Sequence, residues 1–76
     1  MFDRITSNPA ILGGKPIIRG TRISIEFILD LLASGATGEQ VISKYPQLTI
    51  SDVQQSLQYA AASVRNEVLL HAEIAG

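Results

Sequence analysis

A chain of 76 residues with 46% hydrophobic content, no cysteine and a net charge of −1 is one small domain, of a size that buries only about 60% of the surface its unfolded form exposes. Without cysteine, neither a disulfide framework nor a thiolate metal site reinforces so small a core, which leaves oligomerisation as the remedy and predicts a homodimer. The near-neutral charge argues against a protein that coats nucleic acid, and no apolar run follows an N-terminal basic patch; Glu26 and Asp30 interrupt the longest apolar stretches, so the expectation is a cytoplasmic protein with no membrane span.

The charge is unevenly spread. Residues 1–24 carry Arg4, Lys15, Arg19 and Arg22 against Asp3, whereas residues 25–76 carry Lys44 and Arg65 against six acids. The N-terminal third is therefore basic and the remainder acidic. Within that third, Ile5, Ile11 and Leu12 are mixed with Asn8-Pro9 and Gly13-Gly14, a pattern of one short strand followed by a turn-rich segment. Ile17-Ile18 and the run Thr21 to Ile25 flank Arg19-Gly20, where glycine supplies the positive φ of a tight turn, so Gly13 to Arg22 reads as a small extended ribbon with a basic rim.

Ser24 is placed to N-cap a first helix running from about Ile25 to Ser34, with Ile23 stapled against Ile28 and Gly35 at the stop. Ile25, Ile28, Leu29 and Leu32 make its apolar face, which Phe27 and Leu31 widen. Thr37 with Gln40 forms a capping box for a shorter second helix whose buried side is Val41, Ile42 and Tyr45, and Pro46 ends it. Thr49 with Asp52 forms another box and Leu48 with Val53 its staple, the strongest helix start in the chain. Along the third helix Ile50, Val53, Leu57, Ala60 or Ala61, Val64 and Val68 fall on one stripe, with Gln54, Gln55, Gln58 and Tyr59 largely off it. The three-residue turn Pro46-Gln47-Leu48 gives the last two helices helix-turn-helix spacing, shared by nucleic-acid readers and by tri-helical bundles with no such role. The expected fold is mainly α: a tri-helical bundle over residues 25–62 behind a β-ribbon over residues 1–24, then a helical extension or tail over residues 63–76.

Gly14-Lys15 is not a phosphate-binding loop, because Pro9 and Pro16 occupy positions where that motif needs glycine and Ser or Thr. Lys15, Arg19 and Arg22 have two readings: salt-sensitive phosphate contacts, or charges that blunt an exposed strand edge. An arginine pairing with Glu26 or Asp30 of a dimer partner is a third. On the third helix Ser51, Gln54, Gln55 and Gln58 stand where a recognition helix reads bases, glutamine matching adenine N6 and N7, although no cation accompanies them between Lys44 and Arg65. The alternative is a neutral solvated face. His71 has no second histidine or cysteine to share a metal with, and Glu26 and Asp30 read as the polar side of helix one rather than an acid-base pair. No enzyme activity and no cofactor is expected. In the tail Val64, Val68, Leu69, Leu70 and Ile74 are too apolar to stay solvated, so they either extend helix three into a dimer or cover a partner.

The order Asn8-Pro9 to Leu12, Gly14-Lys15-Pro16, Arg19-Gly20-Thr21-Arg22-Ile23, Leu31-Leu32-Ala33-Ser34-Gly35 and Tyr45-Pro46-Gln47-Leu48-Thr49 resembles the bacterial family called domain of unknown function 433, over about residues 2–62. That resemblance implies a homeodomain-like tri-helical protein, no catalytic or metal residues, and an antitoxin role beside a PIN-like ribonuclease toxin. Such an antitoxin also represses its own promoter, using the helix pair and basic ribbon on operator DNA. The alternative is a dimeric protein-interaction adaptor that never touches DNA.

Overall fold

The computed structural model describes residues 2–75, and the side chains of residues 2–65. Its elements are β1 (Ile5–Thr6), β2 (Ile17–Ile18), α1 (Ile25–Ala33), α2 (Gly38–Lys44) and α3 (Ile50–Ala75). It is the mainly helical fold expected, three helices behind a small antiparallel ribbon. β1 pairs with β2 in the register Ile5 to Ile18 and Thr6 to Ile17. Gly20, at φ 81°, makes the turn read from Arg19-Gly20, so that the Ile18 amide donates to the Ile23 carbonyl at 2.9 Å; the run Thr21 to Ile25 contributes only an isolated bridge from Ser24 to Ile17, and Ile17–Ile18 takes β1 as its strand partner instead.

The helix boundaries follow from side-chain chemistry. Ser24 Oγ accepts from the Phe27 amide at 3.0 Å and starts α1. Its end is a Schellman motif: the Ala36 amide donates to Leu31 at 3.1 Å and the Gly35 amide to Leu32 at 3.0 Å. That motif needs a left-handed residue, supplied by Gly35 at φ 107°. At α2 the box is reciprocal, the Gln40 amide donating to Thr37 Oγ1 at 3.1 Å and the Thr37 amide to Gln40 Oε1 at 2.8 Å. At α3 the Asp52 amide donates to Thr49 Oγ1 at 3.2 Å and the Thr49 amide to Asp52 Oδ2 at 2.9 Å. α2 and α3 approach closely: a Cβ on Gly38 would stand 3.2 Å from Ile50 Cδ1 and 3.5 Å from Val53 Cγ1.

One core serves all of these elements. Ile18 from β2, Ile25 and Ile28 from α1, Val41 from α2, Leu48 from the turn and Val53 from α3 are buried together. Both expected staples have their members here or packed against it, Ile23 with Ile28 and Leu48 with Val53. Ile42 and Tyr45 are half-buried beside Val41, and Phe27 meets Tyr45 edge to face at 5.4 Å.

α3 does not turn the whole of its apolar stripe inward. Val53 is buried, but Ile50, Leu57 and Val64 of the apolar stripe are 44%, 48% and 53% exposed. The residues that turn inward are Asp52 and Ser56, both fully buried, followed by half-buried Tyr59 and Ala60. The helix is rotated by about a quarter of a turn from the stripe-inward orientation. What turns it is the N-terminal segment: Arg4 and Phe2 dock on the Asp52 side, Phe2 edge to face with Tyr59 at 5.6 Å. Val68 lies outside the described side chains. Among the described residues no helix is long and apolar enough to cross a membrane.

Candidate macromolecular interface

The ribbon is fastened to the helices by polar contacts that use up much of its charge. Arg4 Nε donates to Asp52 Oδ1 at 2.6 Å and Nη2 to Oδ2 at 3.4 Å. Asp52 thus caps its own helix and anchors a strand 48 residues away. Burial pushes its carboxyl up, but the Arg4 hydrogen bond, the Thr49 amide and the guanidinium charge outweigh that and hold it below the usual carboxylate range. The same carboxylate raises the Arg4 guanidinium still further. Gln55 lies beside this pair. Its Oε1 accepts from the Arg4 amide at 3.0 Å and its Nε2 donates to Asp3 Oδ1 at 2.8 Å, the bond that lowers Asp3.

The basic rim is distributed rather than free. Lys15 Nζ donates to Glu26 Oε1 at 2.8 Å, raising the lysine and lowering the glutamate. Both ends are exposed, so the pair pins the turn to α1 without adding much stability. Arg19 is exposed, its Nε donating to the Asp3 carbonyl at 2.9 Å. Arg22 is exposed and, among the described residues, enters no ion pair.

Between Asn8 and Lys15 the backbone makes a left-handed turn. Asn8 Oδ1 accepts from the Ala10 amide at 2.9 Å, and the Gly14 amide then donates to Ile11 at 3.0 Å. Across that closure Leu12 and Gly13 have φ of 50° and 65°, the sign required of both central residues in a mirror-image turn. For leucine this conformation costs about 1–2 kcal/mol. It presents the Leu12 side chain to solvent over a groove of about 510 Å³ lined by Leu12, Ile23 and Phe27 and rimmed by Lys15 and Arg22.

On α3, Ser51, Gln54 and Gln58 are exposed near the N-terminal end, as a base-reading surface requires, while Gln55 is turned toward the N-terminal segment. Val64 is exposed; Leu69, Leu70, Ile74 and His71 lie, with Val68, outside the described side chains. The helix itself runs on through residues 63–75. Glu26 and Asp30 are both exposed on α1. Among the described residues no group of His, Cys, Asp or Glu stands close enough to hold a metal ion. Sequence reasoning placed Asp52 as a cap but missed it as the partner of Arg4, and missed the left-handed Leu12. The only local signal for the latter was the Gly13-Gly14 pair that follows.

Comparison with known proteins places these features in a family. The curated uncharacterized protein y4eO of Sinorhizobium fredii (strain NBRC 101917 / NGR234) is 34% identical over 59 residues, which are 78% of this chain and 27% of that protein. The chain thus spans about a quarter of the length of that relative. The crystal structure of a DUF433 member protein from Anabaena variabilis ATCC 29413 superposes with a TM-score of 0.72 at 29% identity, covering 96% of this chain and 69% of the other. The family described as "Protein of unknown function (DUF433)" matches residues 5–60, from the first strand through the fourth residue beyond buried Ser56, and this chain belongs to it.

Proposed function

We propose that this chain is a non-enzymatic protein-binding module, the antitoxin member of a two-gene pair, which acts in the cytoplasm as a homodimer and covers a PIN-like ribonuclease. The observation that carries the reading is the Leu12 groove. An apolar side chain held at a backbone cost, half-exposed beside a 39%-exposed Phe27, is a poor use of a leucine in a free monomer and a good one in a contact surface. Arg22, which enters no ion pair among the described residues, favours an acidic partner surface. Co-expression with the product of the adjacent gene tests it. The intact chain copurifies with that product, and Leu12→Asn and Arg22→Glu each weaken the complex. Copurification unaffected by both removes the groove from the function. Deleting residues 63–76 measures what the tail adds.

Operator DNA is a second reading, favoured by Ser51, Gln54 and Gln58 standing exposed at the start of α3 and by exposed Arg19 and Arg22. Its weakness is electrostatic, because α3 offers no cation before Arg65 and affinity for a duplex comes mainly from phosphate neutralisation. Promoter-fragment binding that weakens with salt, with a shallower slope after Arg19→Gln and Arg22→Gln, supports it. Absence of binding at low salt leaves the adaptor reading alone.

A further inference from the structure

Ile50, Leu57 and Val64 lie at intervals of seven residues on α3, the spacing of a seam that meets another helix. All three are between 44% and 53% exposed, and exposed Ala61 lies between them. A surface helix ordinarily puts ionised residues opposite its buried side. From Ile50 to Val64 the one Asp, Glu, Lys, Arg or His is Asp52, buried and paired with Arg4. The seam is thus about 21 Å of uncharged, apolar helix surface.

We infer that this seam binds a second copy of the same chain, α3 against α3 and antiparallel. The inference rests on the homodimer reading and gives it a surface. Three features select a copy over a different partner. The pattern is symmetric about Leu57, so a two-fold axis there sets Leu57 on its counterpart and Ile50 against the other copy's Val64. Gln54 and Gln58 beside the seam are neutral, so along the seam self-pairing brings no like charges together, and no charge pattern there selects an oppositely charged partner. Ala61 permits close approach of the helix axes. Antiparallel packing also sets each body beside the part of α3 that runs past it. There a second groove, lined by Ile25, Leu29, Tyr59 and Ala60 and rimmed by Glu26 and Asp30, shares Val64 with the seam, and a helix on the seam covers its mouth. The seam alone falls short of the roughly 1,200 Å² of total burial typical of a stable dimer, so this added cover is required of the arrangement.

Sedimentation velocity on the full chain over a concentration series tests the inference, with circular dichroism on the same samples. The wild type sediments as a dimer, and Leu57→Glu raises the dimer dissociation constant by about 100-fold or more, the effect of placing a charge in an apolar contact. Because Leu57 is half-exposed in the monomer, helicity is unchanged. Leu57→Cys provides a variant that keeps an apolar side chain: in this cysteine-free protein mild oxidation links it into a covalent dimer, whereas Ser43→Cys, on the exposed side of α2, stays monomeric on a reducing-agent-free gel. A wild type that is monomeric throughout overturns both the dimer reading and the seam. A dimer that survives Leu57→Glu, or that oxidation fails to trap through Leu57→Cys, overturns the seam and leaves the dimer to another surface.

Discussion

The two sides of α3 invert the usual arrangement of a surface helix. Among the described side chains the helix presents Asp52 and Ser56 toward the body, fully buried, with Val53 as the one core aliphatic; toward solvent it presents Ile50, Leu57 and Val64 beside Ser51, Gln54 and Gln58. The buried side is tolerable because each polar atom is satisfied. Asp52 is held by Arg4 and Thr49, and Ser56 Oγ donates to the Asp52 carbonyl at 2.8 Å. A buried polar group in that condition specifies orientation, since any rotation of the helix would strand it without partners. The solvent side has no such constraint, and its residue types make sense as a surface that is covered in an assembly. Polarity inward therefore sets how α3 sits, and apolarity outward sets what it can meet.

The sharpest way to break this contrast is to remove the inward anchor. Asp52→Ala strips the helix cap and leaves Arg4 unpaired, and is expected to lower stability by about 3 kcal/mol, the low end for a buried pair because Arg4 is 35% exposed. Urea unfolding followed by circular dichroism measures it. A loss below 1 kcal/mol would mean that α3 is oriented by something other than this pair.

Acid probes the same anchor without mutation. Because the folded Asp52 carboxyl lies below its unfolded value, its contribution is complete above about pH 4 and is lost as pH falls through the lowered folded value. The wild-type thermal midpoint should fall steeply there. Asp52→Asn, already weaker at neutral pH, should follow a shallower acid limb, and parallel limbs would contradict the assignment.

Smaller effects separate the two sides further. Thr49→Ala loses one half of the α3 box and is expected to cost about 1 kcal/mol, again by denaturant titration. On the outward side, Leu57→Gln should change the stability of the monomer by no more than about 0.5 kcal/mol, read at protein concentrations low enough to keep chains apart. Equal sensitivity of Thr49 and Leu57 would erase the distinction between the sides.

Local chemistry was legible in the residues themselves. Thr37-Gln40 and Thr49-Asp52 announced two helix starts, Ser24 a third, and Leu31 to Gly35 a helix stop, because caps depend on groups within a few positions of one another. The turn at Arg19-Gly20 was legible for the same reason. The direction in which the stripe on α3 faces was not legible: periodicity reports that one side of a helix is apolar, and is silent on whether the molecule's own core or another surface covers it.

The basic rim shows the same division. The sequence places Lys15, Arg19 and Arg22 on one ribbon, but Glu26 and the Asp3 carbonyl, 11 and 16 residues away, decide which of those charges are occupied. Gln55, grouped by sequence with Ser51, Gln54 and Gln58, is drawn from that set by Asp3 and Arg4. Sequence alone determined the three helix starts, the stop at Gly35 and the tri-helical class, all set by short-range hydrogen bonds and backbone preference. Only the tertiary structure decided which side of α3 faces inward, because that choice rests on Arg4 reaching Asp52 across 48 residues, a contact between segments that no periodicity within either one encodes.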